Sequence, residues 1–456
     1  MDKSLDTPIG GVSAPSSSFE ELTPWRPIHY LGSKLRLLEP VKAAIDSVSS
    51  QDEAVCDLFA GSGTVAAALS FTRNVVAADI QEYSRVLCSA ILLPSSIGAE
   101  IRSGIFSDTF ERDLSARLER VAPLIQYEEE ALAQARRGHP EAICDLIEHA
   151  SLVTTDWMSS SEGNRAQREV AKLLAGTEPR LGTVMIRHYG GLYFSYKQAA
   201  YLDALLASAH KAASPLRETL LAIAVSTASE IVNTVGKQFA QPIQPRDSSG
   251  DPKRHLIAKI VRDRGLEASE AATRWASRYD IVDTTSRMHR VIKGDYVDTL
   301  TAIRGEVGVV YADPPYTREH YSRFYHVLET MCLGDEPTLS TTRIRAKEPR
   351  ISRGVYRAER HQSPFCIRSQ APGAFNAMFA GVKHAGASLV LSYSPFKSTG
   401  TVHPRVMTIE QILSLAKPHF ANVEVASAGR ISHSKLNATQ HHLEAGDEAE
   451  VIITCR

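Results

Sequence analysis

Apolar positions follow two different rhythms along this chain. Near the start and again in the last third, short unbroken apolar runs end abruptly in Asp, Gly or Pro. Between them, apolar residues recur at helical spacing. "IHYLGSKLRLLEPVKAAID" is a Gly-containing turn followed by an amphipathic helix with Leu35, Leu38 and Val41 on one side. "EAVCDLFAGSGTVAAALS" predicts a strand, a Gly-rich turn and an Ala-rich helix. "NVVAADIQEYSRVLCSAI" repeats strand then helix, with Asp79 ending the strand. Two successive β-α units predict an α/β fold with a doubly wound, mostly parallel sheet.

From about residue 93 to 288 strands vanish. "DLSARLERVAPLIQYEEEALAQARR", "REVAKLLAG", "SYKQAAYLDALLASAHKAA" and "RETLLAIAVSTASEIVNTVG" all predict helices. In the last, Leu220, Leu221, Ala224, Ala228, Ile231 and Val235 fall on one face, and Gly236 is expected to cap the helix end. No fixed period recurs, so this block is a helical insertion and not a repeat array. Strands resume with "VGVVYADPPY", "ASLVLSYSPF", "NVEVASAG" and "EAEVIITCR". The expected layout is a flexible tail over 1–24, a sheet domain split into 25–92 and 289–456, and a mainly helical insertion over 93–288.

Composition narrows the class without fixing it. The 456 residues carry a net charge of −1, with a pI near 7.0, so no global basic field points to nucleic acid. Two local stretches are basic, "PKRHLIAKIVRDR" and "TTRIRAKEPRISRGVYRAER". The first residues lack the apolar core of a secretory signal, and no apolar run approaches the roughly 18 residues of a membrane span. The six cysteines show neither CxxC nor metal spacing, which suits reduced thiols in a cytosolic protein. His441 and His442 are expected at the surface, and Trp25 and Trp275 in packing.

The chemistry concentrates at strand ends. Gly61 and Gly63 in "DLFAGSG" allow a tight turn and close approach of helix N–H groups to a ligand. Eighteen residues after Gly61, Asp79 ends the next strand, where an acid can accept bonds from both hydroxyls of a ribose. No GxGxxG is complete and no GK[ST] follows, which counts against nicotinamide cofactors and nucleoside triphosphates. In "VGVVYADPPY", Pro314 and Pro315 stop the strand and leave Asp313 at its carboxyl end. An exocyclic amine conjugated to an aromatic ring is a poor nucleophile. Asp313 and a carbonyl held by the Pro-Pro turn can accept hydrogen bonds from such an amine and localise its lone pair. Tyr316 can stack on the ring. A base inside a duplex must be flipped out to reach such a pocket.

Together, "YLGSK", "DLFAGSG" and "DPPY" resemble the S-adenosylmethionine-dependent DNA adenine-N6 methyltransferases. Their order is similar to the Dam-like (alpha) arrangement, with the target-recognition insertion between the Gly loop and DPPY. "KGDYVDTL", "HYSRFYHVLETM", "SPFCIRS", "LVLSYSPF" and the closing "GRISHSK…EAEVIIT" extend the resemblance. It implies a Rossmann-like methyltransferase sheet and S-adenosylmethionine as cosubstrate, without a metal. Tyr30, Lys34, Asp57, Phe59, Gly61, Gly63, Asp79, Asp295 and Tyr296 would then surround the cosubstrate. Asp313, Pro314, Pro315 and Tyr316 would hold the flipped base.

Double-stranded DNA is the implied partner, in the bacterial or archaeal cytoplasm and beside the nucleoid. A cognate restriction endonuclease or defence-system subunit is the further partner expected, and no membrane. Arg343, Arg345, Lys347, Arg350 and Arg353 are the candidate phosphate contacts. Cytosine N4, an RNA base and a catalytically silent DNA-binding subunit stand as alternatives. Asp313 in its motif favours adenine over the first two, and intact Gly61, Asp79, Asp313 and Tyr316 argue against the third.

Overall fold

The computed structural model describes residues 25–30, 32, 34–95, 107–149, 151–153, 183–280, 287–315, 321–342, 349–394, 405–427 and 450–456. The expected N-terminal tail, "REVAKLLAG", Tyr316, Arg343, Arg345, Lys347 and the pair His441–His442 lie outside these residues.

The strands in chain order are β1 (Val55–Asp57), β2 (Val75–Asp79), β3 (Arg290–Lys293), β4 (Val309–Ala312), β5 (Thr341–Thr342), β6 (Arg350–Ile351), β7 (Ser388–Tyr393), β8 (Val423–Ser427) and β9 (Val451–Cys455). Seven of them form one sheet in the order β3-β2-β1-β4-β7-β9-β8, and β5 and β6 form a separate hairpin. The pairs from β3 through β7 are parallel, whereas β9 runs antiparallel to both β7 and β8. The expected doubly wound, mostly parallel sheet is present. Its order reverses between β1 and β4, which is where an open α/β sheet opens a crevice at its carboxyl edge.

Helices cover both faces. α1 (Leu38–Val48), α2 (Thr64–Ser70) and α3 (Glu82–Leu92) lie in the first half. The insertion holds α4 (Asp108–Arg136), α5 (Glu141–His149), α6 (Tyr196–Lys211), α7 (Leu216–Ile231), α8 (Arg254–Arg264) and α9 (Ala268–Tyr279). The second half adds α10 (Tyr296–Ala302), α11 (Tyr321–Phe324), α12 (His326–Leu333), α13 (Ala371–Ala385) and α14 (Ile409–Ala416). Leu38, Val41 and Ile45 of α1 pack with Val55, Val309 and Val390 on one sheet face. Phe375, Met378 and Phe379 of α13 pack with Val310, Leu389 and Ile453 on the other.

The insertion shares its core with the sheet domain. α3 turns Cys88 and Leu92 towards the sheet, and Tyr83, Val86, Leu87 and Ala90 towards the insertion helices and α12. Each fully buried Leu or Ile there contributes roughly 1.5–3 kcal/mol.

Two expectations about α7 are corrected. It is not an amphipathic helix with one apolar face, because Leu221 through Ser229 are buried on every side. Packing against α3, α6 and α9 covers that stretch all round, while Arg217 in the first turn stays exposed. The helix also stops at Ile231 with Val232 as its C-cap, so Gly236 is not the cap and Val235 stands exposed beyond the end. The six cysteines are all free and buried. Trp25 packs with Trp275 and Tyr279, their centroids 5.6 and 5.0 Å from its own. Among the described residues no helix is long and apolar enough to cross a membrane.

Candidate active site

Register brings the two key loops together. Asp57 is level with Tyr311 across the β1–β4 pair, so the Gly loop leaves β1 beside the turn that follows β4. Between them opens a crevice with about 1120 Å³ of atom-free space, its open mouth included. Tyr30, Lys34, Asp57, Phe59, Asp79, Asp295, Tyr296, Asp313, Pro314 and Pro315 all line it. Gly61 and Gly63 are not among the lining residues, although their neighbours Ala60, Ser62 and Thr64 are.

The Gly loop is a backbone device. Gly61 has φ +54°, and a Cβ there would lie 2.6 Å from Tyr30 Oη. The absent side chain is what lets the Tyr30 ring close over the loop. The Gly61 N–H donates to Asp79 Oδ2 at 2.9 Å, and the Gln81 N–H to Asp79 Oδ1 at 2.9 Å. Burial raises the Asp79 carboxyl, while these two N–H donors pull it back down. Asp57 accepts from the Ala66 N–H through Oδ2 at 3.2 Å. Its Oδ1 is buried with no hydrogen-bond partner. Burial, then Asp313 and Asp79, push the Asp57 carboxyl up to about 8. A covered acid with an open oxygen is a site that favours a cation.

Asp313 meets a cation already. Lys34 Nζ lies 3.0 Å from its Oδ1 and also contacts Glu450 Oε1. Burial raises the Asp313 carboxyl to about 6, opposed by Lys34 and assisted by Glu450. Lys34 lines the crevice, and its salt bridge to Asp313 was not foreseen. Glu450 was missed altogether. It precedes β9, whose antiparallel course starts at the site's edge of the sheet, with Val451 opposite Tyr393. The signal for it lay in "EAEVIIT", an acid entering an apolar run.

Aromatic rings build the walls. Tyr30 stacks on Tyr325 at 5.1 Å and 14°. Phe365 stands edge-on to Phe59 at 5.4 Å and to Tyr296 at 5.1 Å. Asp295 caps α10 by accepting the Val297 N–H at 2.9 Å. His361 and Phe365 also line the crevice and were not assigned from the sequence. Burial lowers the His361 imidazole, against the pull of Asp295 and Asp79, which favours its neutral form. Glu329 on α12 accepts the Glu82 and Tyr83 N–H groups at 3.0 Å each, capping α3 just after the Asp79 loop.

The expected phosphate contacts are only partly described. Arg350 is exposed on β6, and Arg353 donates to the Ile243 carbonyl at 2.9 Å. The other basic stretch is partly drawn inward. Lys237, Lys259 and Arg262 surround buried Asp263, and Arg264 is buried against Glu128.

Among known families, the profile described as D12 class N6 adenine-specific DNA methyltransferase matches residues 30–113 and 274–354. No curated protein matches the chain. The two matched blocks flank most of the helical insertion and carry the loops after both β1 and β4. The chain is thus similar, over those two blocks, to the D12 class of N6 adenine-specific DNA methyltransferases, and, with the crevice they coincide with, it is a DNA methyltransferase.

Proposed function

We propose that this enzyme methylates the N6 amine of an adenine flipped out of double-stranded DNA, using S-adenosylmethionine. The observation that carries it is the crevice itself, where Asp313 at the end of β4 faces the Gly loop and acids at the ends of β1 and β2. S-adenosylmethionine supplies an electrophilic methyl group on a sulfonium centre. The residues fit such a molecule. Asp57 Oδ1, buried and unpartnered, suits its ammonium. Asp79 retains acceptor lone pairs for ribose hydroxyls. Phe59, Tyr296 and Phe365 provide apolar surface for its adenine ring, beside Asp295 for the ring's amine.

Asp313 and the Pro314 carbonyl accept hydrogen bonds from the target N6 amine. This localises the nitrogen lone pair and aims it at the methyl carbon. As the N–C bond forms and the C–S bond breaks, the amine becomes more acidic and its surplus proton leaves through Asp313 towards solvent. Asp313 must be ionised for both tasks, and Lys34 favours that state. No covalent enzyme intermediate is required, so catalysis is positioning and electrostatics. A motif-specific mark of this kind suits the modification arm of a restriction or phage-defence system.

The test is single-molecule sequencing of genomic DNA from a methylase-free bacterial host expressing the protein, beside an Asp313→Ala control. N6-methyladenine at one recurring motif, absent in the control, is the expected result. No methylated motif from soluble, folded protein would defeat the proposal.

A further inference from the structure

Two arginines beside the crevice are held in a way that structural packing alone does not explain. Arg323 on α11 follows Ser322, and Arg360 precedes His361; Ser322 and His361 both line the crevice. Consecutive Cα atoms are about 3.8 Å apart, so both arginines start at its rim. Their guanidinium carbons lie 5.1 and 5.0 Å from the centroid of the same ring, Tyr356. Neither guanidinium meets a carboxylate among the described residues. Arg360 Nη1 is covered and makes no hydrogen bond.

The neighbouring Arg357 makes the contrast. It forms a bidentate pair with Asp335 at 2.6 and 2.7 Å. Arg357 is thus neutralised by a carboxylate, whereas Arg323 and Arg360 have none among the described residues. Burial and the nearby Arg323 both lower the Arg360 guanidinium, the direction expected when like charges are crowded.

The platform is fixed at some cost. Val355, fully buried, has φ +50°, a region that a β-branched residue rarely adopts and that costs about 1–3 kcal/mol. A Cβ on Gly354 would lie 2.3 Å from the Tyr356 ring, so the glycine makes room for it. Tyr193 Oη donates to the Gly354 carbonyl at 3.0 Å, the Tyr356 hydroxyl donates to the Ala240 carbonyl, and His326 packs edge-on to the Tyr356 ring at 5.0 Å. Strain kept in place by so many contacts marks a segment whose shape matters.

We propose that Arg323 and Arg360, aligned by Tyr356, form a clamp for a phosphodiester of the DNA strand that enters the crevice. Paired guanidiniums suit a phosphate because each presents a planar fork of donors to its oxygens. Placed at the rim, the clamp holds the backbone while a base turns inward. The proposal rests on the DNA-methylating function above, and its test separates the two.

Duplex DNA binding is measured by fluorescence anisotropy between about 50 and 200 mM salt for wild type and for Arg323→Gln/Arg360→Gln. The double variant should bind roughly tenfold or more weakly at low salt, with a slope of log affinity against log salt shallower by about 1. Its affinity for S-adenosylmethionine in calorimetry should be unchanged. Arg323→Gln alone, at an exposed position, carries the same test if the pair does not fold. A neutral methylphosphonate at the clamped position should weaken wild type and leave the double variant unaffected. Wild-type slope and affinity in a folded variant would overturn the clamp alone. Absence of salt-dependent binding by the wild type itself would overturn the DNA substrate and the clamp together.

Discussion

Lys34 Nζ sits 3.0 Å from Asp313 Oδ1, and it also contacts Glu450 just before β9. The two neighbours act on Asp313 in opposite senses. Lys34 stabilises its ionised form and Glu450 opposes it, around a carboxyl that burial has raised to about 6. The proposed reaction needs the ionised form, so kcat/KM should fall as pH drops through that value. Removing the cation in Lys34→Met raises Asp313 further and moves the acid limb to higher pH. Glu450→Gln removes a negative neighbour and moves the limb to lower pH. Acid limbs displaced in the same direction by both variants would contradict this account of the trio.

Asp57 predicts a pH dependence of stability. Its ordinary carboxyl value is 3.8 and its folded one about 8, so folding favours the protonated acid. The stabilisation linked to it is full below about 4 and is lost as pH rises towards 8. Thermal melts of the protein without S-adenosylmethionine should therefore show stability declining across that window. Asp57→Asn, which cannot ionise, should show a shallower decline, and an equally steep one would exclude Asp57 as its source. The same variant should bind S-adenosylmethionine more weakly, since the amide cannot pair with a cation.

The Gly61 loop yields a coupling test. Alanine there must adopt φ +54° and place its Cβ 2.6 Å from Tyr30 Oη. The backbone term alone costs about 1–2 kcal/mol, and the clash adds to it. Gly63→Ala also carries a positive φ, but its nearest neighbour is the Ile91 Cδ1 methyl at 3.2 Å, which can yield. Thermal melts should show the larger loss for Gly61→Ala, and combining it with Tyr30→Ala should recover part of that loss. Additive losses would mean that the Tyr30 contact is not the cause.

Much of this site is written locally in the chain. Asp57, Asp79 and Asp313 each end an apolar run, and a parallel sheet carries such ends to one edge without further instruction. What stayed hidden depends on pairing across long separations. Glu450 reaches Lys34 only because β9 runs antiparallel. β3 escaped notice because Arg290 and Lys293 bracket two apolar residues at an exposed sheet edge. The basic stretch around α8 gives no sign that Asp263 and Glu128 draw its cations inward. Such partners are chosen by tertiary packing, to which charge patterning in the sequence is blind.

Glu329 ties the segment after β4 to the Asp79 side of the crevice. Its two oxygens take the Glu82 and Tyr83 N–H groups at the start of α3, three residues beyond Asp79. Glu329→Ala leaves both donors without this cap and should cost about 1–2 kcal/mol of stability. The looser Asp79 turn should raise KM for S-adenosylmethionine more than it lowers kcat. Glu329→Gln keeps one acceptor and should fall between. A loss confined to kcat would point to a direct part in the chemistry instead.

Glu128 and Arg264 test how firmly the insertion is joined to the catalytic sheet. The pair is buried, and Glu128 also accepts the Tyr196 N–H at 2.9 Å while Arg264 donates to the Gly191 carbonyl at 2.7 Å. It therefore links α4, α6, α8 and the turn before α6. Glu128→Ala strands a buried guanidinium and should cost about 3–5 kcal/mol, whereas Glu128→Gln with Arg264→Met removes both charges and should cost less. The insertion core also contains Val86 and Leu87 of α3, the helix that follows Asp79. Loosening it should be felt at the crevice. Helical circular dichroism and S-adenosylmethionine binding, followed through the same thermal transition, should shift down together in Glu128→Ala. Helices that melt first while the crevice still binds its ligand would show that the insertion unfolds on its own, and that the shared face of α3 does not couple them.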